Sequence, residues 1–88
     1  MKGLYYSKTK LIYLGNWERE IRENRKYMQR QLAEEAGTSV TSISRFERGE
    51  QAINLITFLE LLSSLNITYQ EYLELLDIVK RMKEEENE

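Results

Sequence analysis

The sequence predicts an all-α domain of about five helices. Apolar residues recur at helical spacings, and no segment sustains the alternation of a strand. No Pro interrupts the 88 residues and Gly is held to four. With 32% of residues charged, there is enough polar surface to solvate the outer face of each helix while the inner face is buried. This length fits one small domain, which buries only ~60–65% of the surface of its unfolded chain and so gains from a partner.

Residues 1–13 are rich in Tyr and Lys (Tyr5, Tyr6, Tyr13, Lys2, Lys8, Lys10) without periodicity. A short strand, an arm and a disordered lead-in are all compatible with them. From Leu14 the pattern is helical: Leu14, Trp17, Ile21 and Met28 fall on one face. A second helix, Gln29 to Ala36, buries Leu32, Ala33 and Ala36 and stops at Gly37, which suits the positive φ that follows a helix. Ser39 is a natural N-cap for a third helix that runs through Arg48, closes at Gly49 and turns Ile43 and Phe46 inward. Asn54 caps a fourth, containing Leu55, Phe58, Leu59, Leu62 and Leu65. The fifth opens on Thr68-Tyr69-Gln70-Glu71, the spacing at which a Thr hydroxyl and a Glu carboxylate each accept from an orphan backbone N–H. It continues through Tyr72, Leu73, Leu75, Leu76 and Val79, then frays into an acidic tail. The expected organisation is an arm at 1–13, the domain proper at 14–76, and a helical extension with its tail at 77–88.

Composition removes several function classes. Without Cys there is no disulfide framework and no thiolate metal site. Without His the usual general base and commonest metal ligand are gone, and no convergent Ser/Lys/Asp set is left to activate a nucleophile. The chain is therefore expected not to be an enzyme, and to need no cofactor or metal. Its apolar runs are too short to span a bilayer, and its start lacks the apolar core of a secretory signal. No membrane role is expected, and the expected location is the cytoplasm.

The net charge of −2 conceals an uneven distribution. Residues 1–48 carry ten Lys/Arg against six Asp/Glu; residues 49–88 carry three against nine. Such a chain can present a basic face to an anionic partner while its acidic end points away.

The span from Gln29 to Gly49 gives that face a shape. Two short helices with a Gly-containing turn between them and a small residue at their crossing form a helix-turn-helix. Ala33 lets the second of the two cross close, Gly37 permits the reversal, and Ile43 locks the pair. The opposite face of the second is then free to enter a major groove about 12 Å wide.

Leu14-Gly15, Arg22, Gln29, Leu32-Ala33, Gly37, Ser39, Ile43-Ser44, Glu47 and Gly49 stand at the spacings of the Cro/CI-like (XRE) helix-turn-helix family, which the chain resembles over about residues 14–76. Leu65 to Thr68 and Glu71 to Leu73 resemble that family's closing helix. The stretch Ile43 to Glu50 with Ile67-Thr68 resembles more narrowly the DNA-binding domain of Rgg/MutR-type regulators. Those carry a longer helical-repeat domain that these 88 residues do not include, so the chain is expected to be either a fragment, with a peptide or protein regulator acting through the missing domain, or a stand-alone relative. The resemblance implies a five-helix bundle of the lambda-repressor-like type with the helix-turn-helix at helices 2–3. It also implies a sequence-specific regulator of transcription that binds double-stranded DNA and is nucleoid-associated when bound. Departures from the pattern are Glu18, where an apolar residue is usual and whose packing Trp17 is expected to take over, Thr38 in the turn, and Met28 in place of a polar N-cap.

With helix 39–48 in the groove, Val40, Thr41, Ser44 and Arg45 point at base edges. Arg45 is the foremost reader, because a guanidinium fork matches guanine O6 and N7. Arg22, Gln29, Ser39 and Arg48 would meet phosphates at the helix ends, with Arg25, Lys26 and Arg30 adding to the same field. The resemblance pairs Arg22 with Glu47 as an ion pair joining the first helix to the third. Tyr5, Tyr6, Tyr13, Tyr69 and Tyr72 could form a stacking platform for single strands, but Tyr69 and Tyr72 fall where core or interface packing is expected. Apolar residues in excess of one small core, in Leu55–Leu65 and Tyr72–Val79, suit the two-fold contact of a homodimer; the alternative is a monomer whose last helix continues into a missing domain. The alternative function is an antitoxin or protein-interaction module of the same fold, its acidic half holding a basic protein.

Overall fold

The computed structural model describes residues 8–86. They form α1 (Lys8–Asn24), α2 (Gln29–Ala36), α3 (Val40–Glu47), α4 (Leu55–Ser64) and α5 (Tyr69–Glu86), with no strand among the described residues. The expected all-α, five-helix architecture is the one observed.

α2 and α3 pack on one another; α1 packs on α3 and α5, and α2 on α4. The core lies where these meet, around Trp17, Ile21, Leu32, Ala33, Ile43, Phe46, Leu61, Leu65 and Leu75. Phe46 and Phe58 close one side edge-to-face, with ring centroids 6.1 Å apart at 72°. Gly15 is small because α1 runs hard against the end of α3: a Cβ there would lie 2.1 Å from the Phe46 carbonyl oxygen.

The caps follow the sequence closely. Ser39 Oγ accepts from the Ser42 amide at 3.1 Å, and Asn54 Oδ1 from the Thr57 amide at 2.8 Å. At α5 the Thr68 amide donates to Glu71 and the Glu71 amide to the Thr68 hydroxyl, at 2.9 and 3.1 Å. Gly37 ends α2 at φ +70°, its N–H reaching back to Ala33 and Glu34.

Four elements differ from expectation. α1 begins at Lys8, ahead of Leu14, because its first turns are fixed from outside: Ile12 lies against the backbone of Gly49. Tyr5 and Tyr6, and the rest of 1–7, lie outside the described residues. Met28 does not share the inner face of α1; it is 68% exposed and stands at the N-cap of α2 without a side-chain cap bond. Trp17 does not replace Glu18 in the core, since both are buried. α5 does not fray after Val79 but runs on to Glu86, its last turns built of Lys, Glu and Arg, which are good helix formers, and anchored by the buried Met82.

Candidate nucleic-acid interface

α3 divides cleanly. Ile43, Phe46 and Glu47 face inward and are buried. Val40, Thr41, Arg45 and Arg48 are exposed and Ser44 is half-buried, and these five form one outward stripe by helical spacing. The N-terminal end of α3, with Ser39 as cap, is open to solvent, so its first amide groups and positive dipole end face outward.

What aims this stripe is a polar cluster beneath it. Glu47 accepts from Arg22 Nε at 2.7 Å and Nη2 at 2.8 Å, a bidentate pair that joins α1 to α3. Gln29 Nε2 donates to the same carboxylate at 3.0 Å, tying in the start of α2. Arg22 Nη1 donates to the Tyr27 carbonyl at 2.8 Å. Burial works to raise the Glu47 carboxyl, but hydrogen bonds, led by that of Arg22, outweigh it and hold it below the usual carboxylate range. Both partners are buried, so the pair fixes geometry at a desolvation cost and is not itself evidence of high stability. Glu18, also buried, completes the cluster.

Arg22, Gln29, Ser44 and Arg48 come together with Arg19 and Glu47 around one open recess of about 180 Å³ beside α3. Arg48 spans from its helix to the chain beyond: Nε and Nη2 donate to Glu50 at 2.8 and 3.1 Å, and Nη1 to the Ser44 hydroxyl at 2.6 Å. Arg45 Nη1 donates to Gln51 Oε1 at 3.4 Å. Arg45 of α3 and Arg48, which caps its C-terminus, are thus held by the two residues after Gly49. Ser39, Val40 and Thr41 stand apart from the recess, at the open end of α3.

Arg25 does not join this basic field. Its guanidinium donates to Glu71 at the start of α5, through Nη1 at 2.8 Å and through Nη2. Lys26 and Arg30 are exposed. Sequence reasoning passed over Arg19, Glu50 and Gln51. Arg19 could have been found as the residue one helical turn before Arg22 on the same face; Glu50 and Gln51 lie in a turn, where periodicity gives no signal.

Apolar side chains are exposed on two other helices. Leu55, Ile56 and Leu59 on α4, and Tyr69, Tyr72, Leu73 and Leu76 on α5, are exposed. Among the described residues no helix is long and apolar enough to cross a membrane, and no group of three or more acidic residues is arranged to hold a metal ion.

The family described as helix-turn-helix (HTH_3) matches residues 19–72. Among solved structures, the restriction-modification controller protein C.AhdI from Aeromonas hydrophila is similar, with 28% sequence identity and a TM-score of 0.66 over 72% of this chain and 96% of that one. No curated protein matches the sequence.

Proposed function

The chain belongs to the helix-turn-helix family, and from that premise we propose that it is a transcription regulator that binds double-stranded DNA in a sequence-specific manner. The observation that carries the reading is the division of α3, buried on one side and open along Val40, Thr41, Ser44 and Arg45 on the other, with the recess of Arg22, Gln29 and Arg48 alongside. α3 lies in the major groove. Arg45 reads a guanine, Thr41 and Ser44 hydrogen-bond base edges, and Val40 packs against a thymine methyl. Gln29, Arg48, the α3 N-terminus at Ser39 and the two unused N–H groups of Arg22 take phosphates. A controller role, as C.AhdI has by name, is the role we assign. The narrower likeness to Rgg/MutR-type regulators rests on Ile43 to Glu50.

Two copies would join through the exposed apolar side chains of α4 and α5, placing two α3 helices about 34 Å apart on a two-fold operator. The same side chains support a second reading, in which they hold a different protein; co-purification of a basic partner in place of a self-dimer would favour that reading. Selection of bound duplexes from a random pool tests the proposal. The wild-type chain should enrich one motif, with affinity falling steeply as salt rises. Arg45→Ala should relax the preference at one base pair by about 1–3 kcal/mol. Enrichment of no motif, or of the same motif by the variant, would remove the assigned reading.

A further inference from the structure

Glu18 is fully buried at the edge of the cluster beneath α3, and nothing above says what its carboxyl does there. No N–H or O–H donor reaches either of its carboxyl oxygens; even the indole Nε1 of neighbouring Trp17 is buried without a partner. The group within hydrogen-bond reach is another acceptor, the Glu47 carboxylate, which already holds Arg22 and Gln29. From α3, then, Glu18 faces Glu47, and from its own helix it faces Arg22. α2 contributes the uncharged Gln29 through Glu47. α5, the other helix packed on α1, brings Glu71, which Arg25 occupies two turns further along. Two ionised carboxylates against one guanidinium would leave a surplus negative charge in the interior, with acceptor facing acceptor. Burial penalises that arrangement heavily.

We infer that Glu18 is a neutral carboxylic acid whose O–H donates to Glu47, so that one retained proton joins Arg22 and Gln29 in setting the position of α3. The proton assignment stands by itself; its consequence for DNA rests on the reading given above. Burial first, then Glu47, favour the protonated form and Arg22 opposes it, leaving Glu18 raised from 4.5 to about 9. The unfolded chain releases this proton near 4.5 and the folded chain near 9, so the folded state binds more protons throughout that interval. Stability conferred by the proton is full below 4.5 and is lost as pH rises towards 9, by up to about tenfold in the folding constant per pH unit. The chain has no His, so around neutrality its only other ordinary titrating group is the α-amino terminus. Glu47 and Glu71 are both lowered, so their effects on stability fall on the acid side of this interval.

Glu18→Gln keeps the size and a donor but cannot ionise. Urea unfolding of the wild-type chain and this variant from pH 5.5 to 8.5 should show wild-type stability falling with pH and a nearly flat profile for the variant. Carboxyl carbon NMR should show one Glu signal still in the protonated range at pH 7. On a selected duplex at pH 7, Glu18→Gln should bind like wild type, while Glu18→Leu, which fills the space but cannot donate, should bind about fivefold more weakly. Parallel pH profiles, or an ionised Glu18 at pH 7, would overturn the proton assignment whatever happens at DNA. Equal duplex affinity for Glu18→Leu would overturn the positioning role. If the wild-type chain bound no duplex, the DNA reading would fall while the stability profiles and NMR still decided the proton. Should Glu18→Leu not fold, those two measurements still decide the proton, and duplex affinity of the folded wild-type chain relative to Glu18→Gln decides the positioning role: it should fall as pH rises from 7 towards about 9, and a constant ratio would overturn it.

Discussion

Glu47 belongs to three contacts at once: its backbone is the last turn of α3, and its carboxylate gathers Arg22 from α1 and Gln29 from the start of α2. Losing it would strand a buried guanidinium, a change that costs about 3–5 kcal/mol. In a domain of this size that is a large fraction of the folding free energy. Glu47→Ala should therefore lower the urea midpoint sharply, and the fraction still folded should bind DNA weakly. The pairing of residues 22 and 47 was legible in the sequence only through a family pattern, since nothing in composition or periodicity couples positions 25 apart. Glu18 was harder to read. A carboxylate on the inner face of a helix reads as an error of phase, and only the coordinates show that Glu18 and Trp17 are buried side by side.

Among the elements, those with chemical punctuation were the readable ones. Gly37, Ser39, Asn54 and the Thr68–Glu71 pair mark helix ends because each satisfies backbone groups that a helix leaves unpaired. Gly37 sits at φ +70° with nothing near where a Cβ would lie, so its substitution tests conformation alone. Gly37→Ala should destabilise the domain by about 1–2 kcal/mol in thermal or denaturant unfolding. α5 offers a prediction in pH. Arg25 first, together with the Thr68 amide and hydroxyl, holds the Glu71 carboxyl down to about 2, against the opposing effect of burial. A lowered carboxyl stabilises the fold above its unfolded value of 4.5 and loses that contribution as pH falls towards 2. Wild-type thermal stability should accordingly drop between pH 4.5 and 2, and Glu71→Gln should be less stable at pH 6 with a shallower acid slope. The start of α1 had no punctuation. It is helical from Lys8 because Ile12 meets Gly49, a contact between distant parts of the chain that no local window contains.

For the molecule as a whole, the uneven charge of the sequence becomes a division of surfaces. The recess beside α3 is lined by Arg19, Arg22 and Arg48, while α4 and α5 carry Glu60, Glu74 and Asp77 around exposed apolar side chains. The surplus of apolar residues was visible in the sequence, but which of them face out was not: Leu61 and Leu65 enter the core, whereas Leu55 and Leu59 point away from it. A pattern nearly apolar all round hides its own phase. Ile56 is 69% exposed and supports no core packing, so Ile56→Asp should leave folding intact. In sedimentation it should convert the proposed dimer to a monomer, and affinity for a two-fold operator should drop by about tenfold or more.

Trp17 gives these experiments an internal light source. It is the sole tryptophan of the chain, enclosed in the core with its indole N–H shielded from water. Its emission should be blue and resistant to iodide quenching in the native state, turning red and quenchable on unfolding. Being next in sequence to Glu18 and five residues before Arg22, whose guanidinium joins α1 to α3, it reports on the packing of those two helices without any attached dye.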